Sequence, residues 1–281
     1  MNKMKKTLVL QNGNHIPTLA YGTWLINDDI VTECVKNAIK VGYRHIDTAQ
    51  VYENEVGVGK GIKESGINRE ELFVTTKVSA EIKNYKDAKE SIDISLQKLG
   101  LDYVDLILIH NRKPWSKLNS TNNFFKENLE VWKALVEAYK EGKAKAIGVS
   151  NFLEEDIQNI IDHSEIPPMV NQVLCHIGST PIKLINYCKK NGIIFESYSP
   201  MAHGHAYENK DIVSIAKKYH VTTAQLCIKY TLQLGTVSIP KATSLPHMIE
   251  NTKLDFEISK EDMEYLTKLD NFHYGRDYFM K

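Results

Sequence analysis

Short apolar runs alternate with helical patterns along this chain, and the alternation is repeated eight times. The runs are continuously apolar, as is typical of parallel strands that are covered on both faces. Between them, apolar residues recur at helical spacing, which predicts a helix after each strand. Eight such units in about 250 residues favour a closed (β/α)8 barrel, the TIM barrel, within the α/β class. We therefore predict one domain over residues 1–281.

The predicted elements follow one another without a linker between domains. Strands are predicted at residues 19–22, 43–46, 71–77, 103–109, 144–149, 169–173, 193–198 and 237–240. Helices are predicted at residues 28–41, from 53 onward, and at 86–99, 129–139, 154–161, 182–189, 211–218, 223–234 and 245–251. A doubly wound open sheet is the alternative, but no GxGxxG motif follows the first strand to support it.

Two additions are predicted outside the eight units. Asn12 and Gly13 separate apolar runs at 7–10 and 16–19, which is a strong signal for a β-hairpin. We expect this hairpin to cap one end of the barrel. Residues 260–269 predict an extra C-terminal helix, and the tail after it is short.

The first barrel helix carries recognisable end signals. Asn27 is expected to cap it, because an Asn side chain accepts hydrogen bonds from the first free N–H groups. Gly42 is expected to end it. Its buried face is predicted from apolar spacing to be Ile30, Cys34, Ala38 and Val41.

Composition excludes several classes of protein. Lys+Arg and Asp+Glu are equal at 35 each, and this zero net charge argues against nucleic acid or a membrane surface as a partner. The four cysteines form no CxxC pair and no zinc-like spacing with histidine, so no metal site is expected and the thiols should be free. Met1–Lys6 do not begin a signal peptide, and no run of about 18 apolar residues predicts a membrane span. We expect a cytoplasmic protein.

Four reactive side chains fall at the ends of consecutive predicted strands. Asp47 and Tyr52 follow one strand, Lys77 ends the next, and His110 follows the third. In a barrel, chemistry is carried by the loops at the carboxyl ends of the strands. An acid, a phenol, an amine and an imidazole gathered there are suited to proton transfer to a carbonyl oxygen.

Several motifs follow one another along the chain: Gly42–Gly59, Leu101–His110, Gly148–Phe152, Asn171–Val173, Ser197–Pro200 and Ile239–Lys241. With them, the chain resembles the aldo-keto reductase family over residues 7–269, nearly its whole length. Each motif alone is weak, but all of them in this order are highly specific.

The resemblance implies a reaction. Tyr52 would be the general acid, and the Lys77 ammonium would lower the pKa of its phenol. Asp47 would hold Lys77 in place, and His110 would orient the substrate carbonyl. A reduced nicotinamide cofactor would supply a hydride, since no side chain can.

The resemblance also implies the cofactor contacts. Ser150, Asn151 and Gln172 match the positions that hold the nicotinamide carboxamide, and Tyr198 matches the aromatic residue that stacks on the ring. The remaining cofactor-binding positions are Gly22, Thr23, Trp24, Asp47, Ser199, Met201, His203, Lys241, Thr243, Ser244, His247, Glu250 and Asn251. NADPH is the expected cofactor, with NADH as the alternative, because Lys241, Thr243 and Ser244 offer a cation and hydroxyls to a 2′-phosphate. His247 stands where the family usually has Arg.

The substrate pocket departs from the family. Predicted substrate-binding residues are Trp24, Tyr52, Ser79, His110 and Asn111. Ser79 stands where an aromatic residue is usual, and Asn111–Arg112 stands where Trp-Pro is usual. The pocket should therefore be more open and polar on one side, unless Trp115 in the next loop refills the space.

Three functions are compatible with these residues. The first is an NADPH-dependent reductase of small aldehydes and ketones, acting as a monomer. The second is a non-catalytic, nicotinamide-binding regulatory subunit of the same fold, against which the complete set of four reactive residues argues. The third is a barrel isomerase or lyase with Lys77 as a Schiff base, but an adjacent carboxylate would keep that amine charged.

Overall fold

The computed structural model describes residues 7–269, and within them it has the predicted (β/α)8 barrel. Eight strands form one sheet with every neighbouring pair parallel, in chain order from β3 to β10. They are β3 Tyr21–Gly22, β4 His45–Asp47, β5 Phe73–Val78, β6 Leu106–Ile109, β7 Ile147–Ser150, β8 Val170–Leu174, β9 Ile194–Tyr198 and β10 Val237–Ile239.

Helices connect the strands around the outside of the barrel. They are α1 Asp28–Val41, α2 Glu55–Glu64, α3 Tyr85–Leu99, α4 Phe125–Lys140, α5 Glu154–His163, α6 Ile182–Lys190, α7 Lys210–Lys218, α8 Thr223–Gln233 and α9 Leu245–Glu250, followed by the extra helix α10 Lys260–Lys268. The main apolar core lies between this layer and the strands, and a smaller cluster lies beneath α7, α8 and α10.

The barrel closes between its first and last strands. Ser238 N–H donates to Thr18 O at 2.8 Å, and Ala20 N–H donates to Ser238 O at 2.9 Å. Gly22 N–H continues the ladder to Pro240 O at 3.0 Å. The Tyr21 hydroxyl adds a bond of 2.5 Å to Ala242 O just beyond β10. Closure therefore joins segments more than two hundred residues apart in the chain.

The predicted hairpin covers the amino-terminal end of the barrel. Its strands are β1 Thr7–Val9 and β2 His15–Pro17, which pair antiparallel. Asn12 and Asn14 both donate from Nδ2 to Lys145 O, at 2.8 and 2.9 Å, just before β7 begins. The opposite end, where the strands point, is left for the reactive loops.

Helix α2 follows the catalytic loop and is held unusually close to its neighbours. A Cβ atom at Gly59 would lie 2.0 Å from Leu99 O in α3, and one at Gly57 would lie 2.4 Å from Val31 in α1. Both positions therefore need glycine for a close approach. This packing sets where the loop containing Tyr52 stands.

Three local expectations were wrong in detail. Asn27 occupies the N-cap of α1, but its side chain makes no capping bond within the described structure. Ile30 is 47% exposed, and Val31 and Val35 lie inward in its place, because α1 is rotated so that it packs against α2 and α9. Helix α4 begins at Phe125 rather than 129, since its first turn is polar on the outer face.

Other expectations concern residues that the structure does not describe. Met1–Lys6 and the tail after Leu269 lie outside the described residues, and the single domain over 1–281 stays a prediction. Between residues 7 and 269, no helix is both long and apolar enough to cross a membrane.

Candidate active site

The four predicted reactive side chains meet at the carboxyl end of the barrel. Asp47 is the last residue of β4, and Tyr52 ends a 3-10 turn that follows it. Lys77 lies within β5 rather than after it, and His110 directly follows β6. Because these strands are adjacent and parallel, their ends bring the side chains to one place.

Lys77 is the centre of the cluster. Its Nζ lies 2.7 Å from Asp47 Oδ1, 2.9 Å from Thr48 O and 3.3 Å from the Tyr52 hydroxyl. The Lys77 side chain is fully buried. An ammonium with three acceptors around it is held in one position, directly beneath the phenol.

The protonation states of Lys77 and Tyr52 depend on burial and on the neighbouring charges. Burial opposes the charge on Lys77, but the Asp47 carboxylate and the Tyr52 phenol outweigh it and raise the pKa of the ammonium. Burial also raises the pKa of the Tyr52 phenol, and Lys77 lowers it by less than burial raises it. Lys77 therefore lowers the pKa of Tyr52 as expected, but burial outweighs it and the net shift is upward, so the phenol keeps its proton at neutral pH.

His110 completes the site in its neutral form. Burial and the nearby Lys77 charge hold the pKa of this imidazole well below its ordinary value. Its ring stands edge-on to that of Tyr52, with centroids 5.6 Å apart. Nδ1 is buried and makes no hydrogen bond to any residue from 7 to 269. A neutral imidazole beside a phenol can donate a hydrogen bond to a carbonyl oxygen without carrying a charge.

Asn54, which the sequence analysis missed, ties the catalytic loop to the loop after β3. Its Oδ1 accepts from the Thr48 hydroxyl at 2.8 Å, and its Nδ2 donates to Thr23 O and Ile26 O, both at 2.9 Å. The Thr23 hydroxyl in turn donates to Asp47 O at 2.9 Å. Asn54 is fully buried, and three of these hydrogen bonds cross from one loop to the other, so the loop that carries Trp24 is fixed against the one that carries Tyr52.

A buried polar layer lies under the cluster. Gln172 Nε2 donates to Asp47 Oδ2 at 2.8 Å and to Glu196 Oε2 at 2.9 Å. Glu196 is fully buried, and burial together with the Asp47 charge raises the pKa of its carboxyl to about 8. Its Oε1 has no hydrogen-bond partner in the described chain, and His45 Nε2 is 3.9 Å away. Glu196 is thus a neutral acid at pH 7, a role that no motif in the sequence indicated.

The predicted carboxamide residues lie together beside His110. Asn151 Nδ2 donates to His110 O at 3.1 Å and to Ser150 Oγ at 3.2 Å, and Tyr198 donates to Asn151 Oδ1 at 2.9 Å. Asn151 has φ of 59°, a left-handed conformation that few residues adopt without a local cause. An amide, hydroxyls and an aromatic face at one point fit a nicotinamide ring and its carboxamide.

The loop after β9 reaches across the mouth of the barrel. Its His203 ring packs on Trp24 with centroids 4.8 Å apart, and His203 Nε2 lies 2.9 Å from Ser199 Oγ. Ser199 and His203 both have positive φ, at 53° and 54°. Gly22 is buried, whereas Met201 is half-buried at the N-cap of the 3-10 segment Ala202–Tyr207, which contains His203.

The predicted phosphate-binding segment lies at the outer rim. Lys241, Thr243 and His247 are exposed, and Ser244 is half-buried at the N-cap of α9. Glu250 is half-buried at the end of α9. Asn251 lies deeper than these residues: its side chain is buried and hydrogen-bonds the Tyr43 hydroxyl.

Ser79 and Asn111, the two pocket positions that depart from the family, have different surroundings. Ser79 is half-buried beside the catalytic loop, with its N–H donating to Gln50 Oε1 at 2.9 Å. Asn111 is buried, and its Oδ1 accepts from Lys113 N–H at 3.2 Å in a tight turn. Trp115 instead reaches the site, with its ring 4.9 Å from that of His110.

Comparison with known proteins agrees with this geometry. The model of the Aldo/keto reductase family matches residues 18–271. The chain belongs to the aldo/keto reductase family. It is an oxidoreductase, and the family resemblance read from its motifs is confirmed.

Individual members of the aldo/keto reductase family are similar over nearly the whole chain. Glyoxal reductase of Bacillus subtilis is 42% identical over 268 residues, covering 95% of this chain and 93% of the relative. An aldo/keto reductase crystal structure from Brucella melitensis has a TM-score of 0.87 at 38% identity, covering 94% of this chain and 99% of the other. A Bombyx mori aldo-keto reductase, crystallised in complex with NADP, has a TM-score of 0.85 at 32% identity, covering 94% and 92%.

Proposed function

We propose that this enzyme reduces small aldehydes and ketones, dicarbonyls such as glyoxal among them, with NADPH as the hydride donor. The proposal is carried by one observation: the Lys77 ammonium bridges Asp47 and the Tyr52 hydroxyl at 2.7 and 3.3 Å, with His110 beside the phenol. The name of the Bacillus subtilis relative supports the choice of a small dicarbonyl as a substrate.

The side chains would act on the carbonyl oxygen. Tyr52 and His110 would both donate hydrogen bonds to it, which fixes the carbonyl and draws electrons from its carbon. When bound, the reduced nicotinamide supplies a hydride to that carbon. As negative charge develops on the oxygen, the Tyr52 O–H bond breaks and its proton passes to the oxygen, giving the alcohol. The buried Lys77 charge stabilises the phenolate that remains.

Lys77 is unsuited to the alternative chemistry. A Schiff base needs a neutral amine, and the raised pKa of this ammonium keeps it charged at neutral pH. No feature of the described residues favours a purely regulatory role, and the assay below separates it from catalysis.

The cofactor would lie across the carboxyl end of the barrel. Ser150, Asn151 and Gln172 would hold the carboxamide, Tyr198 would face the ring, and the loop with Ser199 and His203 would cover the diphosphate. At the rim, Lys241, Thr243, Ser244 and His247 would meet the 2′-phosphate, which favours NADPH over NADH. The NADP complex of the Bombyx mori neighbour supports this assignment.

The direct test is the loss of NADPH absorbance in the presence of glyoxal and a panel of aldehydes and ketones. We expect turnover that depends on both NADPH and the carbonyl compound. Tight NADPH binding without turnover on any of the panel would favour the regulatory subunit instead.

We predict that His247→Arg strengthens NADPH binding by about fivefold to tenfold and leaves NADH binding unchanged. A guanidinium adds a permanent charge and a two-pronged donor for the 2′-phosphate, which NADH lacks. Dissociation constants from fluorescence quenching measure both cofactors. Lys260→Arg, an exposed change in α10, is the matched control. An equal gain for the two cofactors would remove His247 from the phosphate site.

We predict that Ser79→Trp narrows the range of substrates. Ser79 is half-buried beside the loop of Tyr52, so an indole there would fill the pocket. KM should rise about tenfold for branched ketones, and little for flat or small aldehydes. If kcat/KM for branched ketones relative to small aldehydes is the same in the variant and the wild type, Ser79 does not border the pocket.

We also propose a cytoplasmic monomer, with a small molecule rather than a macromolecule as its partner. The four buried cysteines, all free, suit a reducing compartment. Light scattering on the eluted protein measures the mass, and twice the chain mass would contradict the monomer.

A further inference from the structure

The loop between β6 and α4, residues 111–124, is held in place by hydrogen bonds from lysine and amide side chains to its backbone carbonyls. Lys83 donates to Asn111 O at 2.9 Å and to Asn128 Oδ1 at 2.8 Å. Lys113, which is 8% exposed, donates to Ser120 O at 2.7 Å. Asn128 also binds the loop from α4, donating to Arg112 O at 2.9 Å. Loop carbonyls that accept hydrogen bonds from three side chains in this way give a preformed loop.

A second anchor fixes the part of the loop nearest the site. The Ser116 N–H donates to Glu81 Oε1 at 3.0 Å, and its hydroxyl donates to Glu81 Oε2 at 2.7 Å. Both oxygens of one carboxylate are therefore used to hold the residue next to Trp115. Glu81 itself lies in the loop after β5, two residues beyond Ser79.

These anchors place Trp115 against a reactive residue. Its ring stands edge-on to His110, with centroids 4.9 Å apart and an interplanar angle of 80°. Tyr52 packs on His110 in a similar edge-on way at 5.6 Å. The imidazole thus contacts both the phenol and the indole, and Trp115 remains half-buried, with part of its surface open to solvent.

We propose that Trp115 is the specificity wall of the pocket and that Glu81 is its positioning residue. A carbonyl held by Tyr52 and His110 would direct its substituent along the indole. The wall would favour carbonyl compounds with an aromatic or other apolar substituent, because such a group loses water against the indole. This inference rests on the proposed carbonyl reduction and adds the substrate class.

The test compares glyoxal with phenylglyoxal, which carries a phenyl group on the same dicarbonyl. Trp115→Ala should raise KM for phenylglyoxal about fivefold to tenfold, as expected for one lost aromatic contact, with kcat within about twofold. KM for glyoxal should change by less than about twofold, and Trp115→Phe should restore most of the difference. Equal changes in KM for both substrates would show that Trp115 is not the specificity wall. A wild-type enzyme that reduces neither compound would instead overturn the proposed function, and this inference with it.

The positioning role has its own test. Glu81→Ala should raise KM for phenylglyoxal in the same direction as Trp115→Ala but by less, about threefold. In the double variant the Glu81 change should add nothing, because there is no indole left to position. Glu90→Ala, an exposed carboxylate in α3, is the control and should have no effect. Additive effects of the two changes would overturn the role of Glu81.

Discussion

Tyr52→Phe is expected to lower kcat for carbonyl reduction by about 10²–10⁴-fold, the usual contribution of a general acid. The variant keeps the ring that packs against His110 and removes the hydroxyl that lies 3.3 Å from Lys77. Because burial raises the pKa of this phenol, its proton is held until charge develops on the substrate oxygen. Steady-state kinetics with NADPH and glyoxal measure the loss, and fluorescence quenching should show nearly unchanged NADPH binding.

The matched control removes a hydroxyl elsewhere. Tyr265, which is 49% exposed in α10, lies outside the barrel, so Tyr265→Phe should leave kcat unchanged. Turnover of Tyr52→Phe within about threefold of the wild type would assign the proton to another group.

Glu196→Gln is expected to make the protein more stable at alkaline pH. The carboxyl of Glu196 has a pKa of about 8 when folded, against an ordinary value of 4.5. A raised pKa means that the folded state holds a proton that the unfolded state has released. The stability that Glu196 contributes is therefore full below about pH 4.5 and falls, by roughly 1.4 kcal/mol per pH unit, until about pH 8. Glutamine keeps the neutral shape and cannot lose a proton.

The measurement is the difference in unfolding free energy between Glu196→Gln and the wild type, from urea titrations between pH 5 and 8. The difference in unfolding free energy should grow with pH to several kcal/mol, on the order of the free energy that corresponds to the raised pKa of Glu196. Groups facing Glu196 enter both proteins alike: Asp47 raises its pKa, while Gln172 and Lys77 lower it, and His45 lies 3.9 Å away. Glu264→Gln, an exposed change in α10, should give a flat difference. A flat difference for Glu196 too would mean that this carboxyl is ionised in the folded protein.

The order of strands and helices was predictable because each element has its own pattern of apolar and polar residues over a short stretch of sequence. Continuous apolar runs marked the strands, and β6 starts and ends within the run predicted for it. A glycine marked the end of α1, and Gly42 takes a left-handed conformation there. The buried face of α1 was not predictable in the same way, since Ile30 and Val31 are equally apolar and only packing against other helices selects between them.

Site residues with a local sequence signal were predicted, and those that depend on distant partners were missed. Asp47, Tyr52, Lys77 and His110 were identified from strand ends and family motifs, and the structure brings them together. Their roles stay predictions until the variants are measured. Asn54, Glu196 and Glu81 were missed because each acts through a partner distant in sequence. Nothing near Glu196 signals that Gln172 and Asp47 lie above it.

The closure of the barrel has a consequence for how the protein is made. The ladder from Thr18 and Ala20 to Ser238 cannot form until residue 238 has left the ribosome. Until then β3 has one free edge, although the contacts of Asn54 and Thr23 can already tie the loop that carries Trp24 to the catalytic loop. A nascent chain stopped before β10 would therefore expose a sheet edge at which another chain could pair. Early release of the chain should yield aggregates rather than a partly active enzyme.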